Sequence, residues 1–102
     1  MKTHIRSNWA RTVLVCGKCS KKLGGGFGAK GKTPLAKALR KHLGLKKSRK
    51  ASAGIVEVKC LGVCPRGAVT MIDSARPGEW LLVPAGTDLD QVAGELGLPG
   101  GA

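Results

Sequence analysis

Acidic residues are missing from the first half of this chain, and aromatic residues are scarce in all of it. Residues 1–50 hold no Asp or Glu but 15 of the 18 Lys and Arg, a formal +15. Residues 51–102 set six acids against Lys59, Arg66 and Arg76, a formal −3. Tyrosine is absent, and Trp9, Phe27 and Trp80 are the only aromatics. Readers of single strands commonly stack bases on aromatics interleaved with cations. That pattern is absent from the sequence, which disfavours sequence-specific recognition without removing phosphate binding. Long apolar runs are lacking too. Val13-Leu14-Val15-Cys16 and Trp80-Leu81-Leu82-Val83 are among the longest, far below the roughly 20 residues of a membrane-spanning helix. The start, Met1-Lys2-Thr3-His4-Ile5-Arg6, has no apolar stretch of a secretory signal. The expectation is a soluble, cytoplasmic protein without a membrane partner.

What is present suits one folded domain: 102 residues, 42% of them apolar. The lopsided charge fits nucleic acid, an anionic surface or an acidic protein partner, and it serves solubility on its own. Four cysteines in a chain read as intracellular point to metal ligands or redox thiols before structural disulfides.

Periodicity predicts the elements. Residues 1–11 read as a basic, flexible arm. Thr12-Val13-Leu14-Val15 is β-branched and apolar, a buried strand ending at Cys16. Residues 17–32, rich in Lys and Gly, read as a loop. Thr33 then suits an N-cap and Pro34 the first helical position. Leu35, Ala36, Leu39 and Leu43 form one helical face, which Gly44 stops. Residues 45–54 read as a mobile basic connection. A strand over 55–59 ends at Cys60, and Cys60-Leu61-Gly62-Val63-Cys64-Pro65 opens a loop. Strands over 68–72 and 80–83 flank Pro77-Gly78 as an antiparallel hairpin. Thr87-Asp88-Leu89-Asp90 resembles a capping box, followed by a face of Leu89, Val92, Ala93 and Leu96. Gly97 ends that helix, and residues 98–102 read as a flexible tail. The result is an α/β domain over 12–97 of order β-α-β-β-β-α. Its first two strands are parallel by the right-handed crossover rule. A four-stranded mixed sheet with helices packed on it is the core topology of the thioredoxin fold.

In that topology Cys16/Cys19 and Cys60/Cys64 follow the C-terminal ends of two neighbouring parallel strands, roughly 5 Å apart. Soft thiolate sulfur suits Zn²⁺ or an iron–sulfur cluster. Lys18, Lys21, Lys22, Lys30 and Arg66 offset the thiolate charge, and backbone N–H groups at Gly17, Gly62 and Gly67 are placed to donate to sulfur. The spacing within each pair does not choose the metal. C-x3-C departs from zinc-ribbon knuckles, and a helix and a strand separate the pairs; both lean toward a cluster.

The segments Val13-Leu14-Val15-Cys16, Phe27-Gly28-Ala29-Lys30-Gly31, Leu35–Leu43, Val56-Glu57-Val58 and Cys60-Leu61-Gly62-Val63-Cys64-Pro65 resemble the thioredoxin-like [2Fe–2S] ferredoxins over residues 12–97. The resemblance implies a [2Fe–2S] centre, one-electron transfer and often a homodimer. It matches Cys16 to the family's first ligand and Cys60 and Cys64 to its C-x3-C pair. The family's second cysteine comes well after the first, where this chain has Phe27. Either Cys19 substitutes, or the site is something else. Related small metal-binding proteins with C-x2-C and C-L-G-x-C support the substitution. The family is often acidic, so the basic first half leaves the partner open.

The sequence therefore predicts a non-enzymatic electron carrier ligated by Cys16, Cys19, Cys60 and Cys64, with an acidic redox partner. The first alternative is a structural zinc module whose basic face binds nucleic acid or an acidic protein. The second is a C-x-x-C thiol oxidoreductase, disfavoured because no helix is predicted directly after Cys16. Residues 26–33 also fit a P-loop pattern, but ten residues separate them from the strand that a P-loop follows directly. His4 and His42 read as surface residues, and Trp80 as core.

Overall fold

The computed structural model describes residues 3–46, 49–63 and 65–97, so Cys64 and the tail expected over 98–102 lie outside the described residues. The elements run β1 (Thr12–Cys16), α1 (Gly17–Lys22), β2 (Gly26–Phe27), β3 (Thr33–Pro34), α2 (Leu35–Leu43), β4 (Gly54–Val58), β5 (Ala68–Asp73), β6 (Leu81–Pro84) and α3 (Leu89–Leu96). Four strands form one mixed sheet in the order β4-β1-β5-β6. β1 and β4 are parallel, with Val13 beside Ile55 and Cys16 beside Val58. β5 runs antiparallel to both β1 and β6. The expected parallel pair and the expected hairpin are both present.

The apolar alternation explains the layering. In β1, Val13 and Val15 are buried while Leu14 is half-buried. β5 lies between two strands, and all but one of its residues are buried. Leu35, Ala36, Leu39 and Leu43 of α2 join Ile55, Val69, Met71, Val92 and Leu96 in one core cluster. Burying each large side chain contributes about 1.5–3 kcal/mol. The sheet also buries a carboxylate, Asp73. Arg11 Nε meets it at 3.3 Å, the Ala75 N–H donates to it at 3.0 Å, and Arg11 also donates to the Leu96 carbonyl. Core and α3 are thus tied to the residue just before β1.

Several expectations are corrected. Residues 17–32 are not one loop: α1 follows β1 directly, and β2 and β3 pair as a small hairpin. Thr33 is therefore a strand residue, and Pro34 rather than Thr33 occupies the N-cap of α2. At α3 the cap is Asp88, which accepts from the Asp90 N–H at 3.0 Å, while the Thr87 hydroxyl donates to Pro84 O. Trp80 is 41% exposed instead of core, its indole N–H donating to Pro77 O at 3.0 Å. His42 is half-buried and meets Asp90 at 2.7 Å, joining α2 to α3. The segment read as an arm runs beside residues 49–54: Asn8 N–H donates to Arg49 O at 2.7 Å and Ala10 N–H to Ser52 O at 2.9 Å. In the P-loop-like stretch the Gly26 and Gly31 N–H groups donate to Gly31 O and Gly28 O, leaving neither for a phosphate. No helix among the described residues is long and apolar enough to cross a membrane.

Candidate metal centre

β1 delivers Cys16 to the C-terminal edge of the sheet, and β4 delivers the Cys60 loop to the same edge through the register that pairs Cys16 with Val58. The Lys18 N–H donates to Lys59 O at 3.0 Å, which pins the first turn of α1 to the end of β4. That approach needs a residue without a side chain. A Cβ on Gly17 would sit 2.7 Å from Val58 O.

The Cys16-Gly17-Lys18-Cys19 segment faces the loop that leads to Cys64. Cys16 is 0% exposed and Cys19 2%. The Cys19 thiol contacts Val63 O at 3.5 Å and Thr70 Oγ1 at 4.0 Å, and the Thr70 hydroxyl itself donates to Val63 O at 2.9 Å. Cys60 is exposed, and its sulfur accepts from the Gly62 N–H at 3.3 Å. All three described cysteines are free thiols.

The two buried thiols differ in acidity. Burial works against charge on Cys16. It is outweighed by the N–H groups of Cys19, Leu61 and Lys18 and by the Cys19 thiol, all directed at the Cys16 sulfur, and the pKa falls below that of an ordinary thiol. Cys19 is pushed up, first by burial and then by donating to Cys16, against the opposing pull of the Thr70 N–H and hydroxyl. In the metal-free reduced chain, thiolate absorbance should appear below the ordinary thiol range and vanish in Cys16→Ser. The linkage has opposite signs at the two sites. Ionised Cys16 adds stability that is lost as pH falls through its folded pKa. Protonated Cys19 adds stability that is lost as pH rises toward its own. A thiolate titration that is unchanged in Cys16→Ser would refute the assignment.

Four lysines gather beside the cysteines. Lys18, Lys21, Lys32 and Lys59 line a groove of about 760 Å³ that reaches Cys60, with Glu57 the carboxylate on its wall. Of the cations expected to offset thiolate charge, Lys18 and Lys21 are on this wall, whereas Lys22, Lys30 and Arg66 are not. Phe27, at the place of the family's second ligand, is 1% exposed and belongs to the core, in the same cluster as Cys16 and Cys19.

The sequence analysis missed α1. Its one sequence signal is the Ser20/Lys21/Lys22 run of adequate helix formers after Cys16, without any apolar period. Among the described residues no three of His, Cys, Asp or Glu are gathered tightly enough to form a metal group, and Cys60 is exposed where Cys16 and Cys19 are buried. The fourth expected ligand, Cys64, lies outside the described residues. Compared with protein-family models, with curated proteins and with solved structures, the chain matches none.

Proposed function

We propose that this is a thioredoxin-like ferredoxin in which Cys16, Cys19, Cys60 and Cys64 hold a [2Fe–2S] cluster. The observation that carries the reading is the seating of the C-x-x-C segment on the second cysteine loop. The Leu61 N–H, one residue past Cys60, is directed at the Cys16 sulfur, and Cys19 contacts the carbonyl of Val63, one residue before Cys64. The donor set fits the group: soft sulfurs, one of them already favouring the thiolate, with backbone N–H groups aimed at it. A [2Fe–2S] centre supplies one-electron uptake and release. The chain's own residues do the rest. β1 and β4 bring the two cysteine loops to one edge, Thr70 and Val63 fix Cys19, and the buried pair excludes water. The strand order, with β5 antiparallel to the other three, supports the thioredoxin-like topology. Lys18, Lys21, Lys32 and Lys59 form a face for an acidic redox partner, where a small, salt-sensitive contact suffices.

One observation favours a second reading, a dithiol oxidoreductase. α1 starts directly after Cys16, with that thiol acidified and Cys19 held protonated, as a nucleophile and a resolving thiol require. In that reaction the Cys16 thiolate attacks a disulfide and expels one thiolate. Cys19 then displaces the second, so two electrons pass to the substrate and Cys16–Cys19 closes as a disulfide. Access favours the first reading. A nucleophilic sulfur must be met in line by its substrate, and Cys16 is 0% exposed. A ligand sulfur has no such need.

Anaerobic purification followed by a visible spectrum and assays of iron, sulfide and zinc is the test. Two irons and two sulfides per chain with charge-transfer absorption are expected. A colourless protein with one zinc per chain would replace the cluster by a structural metal, the remaining alternative. A metal-free protein that cycles a Cys16–Cys19 disulfide would establish the dithiol chemistry instead.

A further inference from the structure

We propose that the groove beside the start of β4 binds single-stranded nucleic acid, with one base against Trp9 and the adjoining phosphates on Arg40, Lys46 and Arg49. The groove measures about 450 Å³, within the range of pockets that take a small organic ligand. Ile55 and Val56 give it apolar wall, and its one carboxylate is Glu57. Of its lining only Glu57 is shared with the groove that reaches Cys60, and none of it is a cysteine, so the proposal stands whether or not the cysteines hold a cluster.

The fold assembles here what the sequence keeps apart. Trp9 precedes β1, Arg40 belongs to α2, and Lys46 and Arg49 lie in the basic connection. No interleaved basic-aromatic motif exists along the chain, yet all four residues line one groove. Two backbone bonds and one side-chain bond hold the segments together. Asn8 N–H donates to Arg49 O, Asn8 Nδ2 to Lys50 O at 3.2 Å, and Ala10 N–H to Ser52 O. The indole rests on the backbone of Gly54. A Cβ at that position would fall 2.3–2.4 Å from three ring atoms, so glycine is the residue that admits a flat ring there. Trp9 remains half-buried rather than core, while Lys46 and Arg49 are exposed. Arg40 Nη1 donates to Ile55 O at 2.8 Å, which fixes the guanidinium at the groove and uses one of its five donors.

The chemistry selects the ligand. Cations alone would accept any polyanion, but an aromatic face set among three cations matches a π face flanked by phosphates. An acidic peptide offers the charge without the ring. Single strands are favoured over duplex because paired bases are stacked on one another and do not present that face. The contact is sequence-tolerant, in keeping with stacking as its main base interaction.

The test uses the full chain. Trp9 and Trp80 are its only tryptophans, so Trp80→Phe leaves Trp9 as the sole reporter. Oligothymidylate or oligouridylate added at low salt should quench its fluorescence saturably. The slope of log Kobs against log salt should be about −2, from three cations at about −0.7 each on a single strand. Lys46→Ala with Arg49→Ala alters only exposed side chains and should flatten the slope to about −0.7. Trp9→Leu, followed by anisotropy of a labelled strand, should weaken binding about tenfold or more with the slope unchanged. Absence of quenching at low salt would overturn the proposal. So would duplex or polyglutamate binding as tightly as the single strand, or full affinity in Trp9→Leu. If Trp9→Leu does not fold, as judged by circular dichroism, the two-cation variant still decides.

Discussion

Anaerobically purified Cys19→Ser should emerge colourless, with its iron reduced at least about tenfold against the unsubstituted chain. Even loss of an outer-shell partner costs about 10–100-fold in metal affinity, and on the proposed four-cysteine reading this change removes a ligand sulfur. Serine is close to isosteric, but its hydroxyl does not ionise near neutral pH and its oxygen is hard where an iron–sulfur cluster would take soft sulfur. The substitution leaves the fold a simple adjustment. The thiol already contacts Val63 O at 3.5 Å, so a hydroxyl there has an acceptor waiting, and the thermal midpoint of the metal-free chain should move little. Iron lost with folding retained is the expected pair of results. A full complement of iron and an unaltered spectrum would show that the second ligand is not Cys19. With Phe27 in the core, the four-cysteine reading would then fail.

The fold was legible where side-chain periodicity and burial agree. Leu35, Leu39 and Leu43 recur on one face of α2, and each is buried. Gly44 and Gly97 end their helices as left-handed caps, as their positions after the last periodic residue require. β1 and β5 read as strands because β-branched residues lie between turn residues, and both are central in the sheet. The hairpin β2–β3 was not legible. Two residues on each side carry no period, and only glycine conformations and the burial of Phe27 give it shape. Trp80 misled because its size suggests core. It precedes β6, whose Leu82 also faces solvent, and it is held by a local bond to Pro77.

The candidate site was legible in its cysteines and illegible in its helix. Their spacing after two apolar runs located one sheet edge, and the β1–β4 register brings Cys16 level with Val58 there. α1 is short: Gly17, Lys18, Cys19, Ser20, Lys21 and Lys22 hold no repeated apolar position, and glycine opens it. Its stability comes from tertiary contacts that no local pattern shows: the Lys18–Lys59 backbone bond, burial of Cys19, and the Ser20 hydroxyl donating to Cys16 O at 3.1 Å. The same helix makes the two thiols unequal, a property of geometry and not of spacing. Nor does the sequence place Lys18, Lys21 and Lys32 in one groove with Lys59 and Cys60. It supplies the charge, and the crossing of loops decides where that charge collects.

Gly25→Ala should be the most damaging glycine-to-alanine change among the described residues, costing about 3 kcal/mol or more of the 5–15 kcal/mol typical of a domain. Two effects add. Gly25 holds a φ of +98°, where L-residues are strained. Its Cβ would also stand 2.1 Å from Lys32 O, 2.3 Å from Lys32 C and 2.8 Å from Thr33 N. These are backbone atoms, so no rotamer change relieves the overlap, and the two arms of β2–β3 must part. The thermal midpoint should fall by roughly 12–24 °C, at about 4–8 °C per kcal/mol for a domain near this size. Gly24→Ala is the control. Its φ of +61° is left-handed as well, but nothing lies within 4 Å of the added methyl, so it should cost only about 1–2 kcal/mol. The gap between the two isolates steric closure of the hairpin from backbone strain. Equal midpoints for both variants would show that β2 and β3 can separate without cost. The consequence extends to the cysteines, because the Gly25 N–H donates to Ser20 O at 3.0 Å and so joins the hairpin to α1. Parting the hairpin pulls on the helix that carries Cys19, and if the four cysteines hold metal as proposed, a chelator should remove it faster from Gly25→Ala than from Gly24→Ala at a temperature where both remain folded.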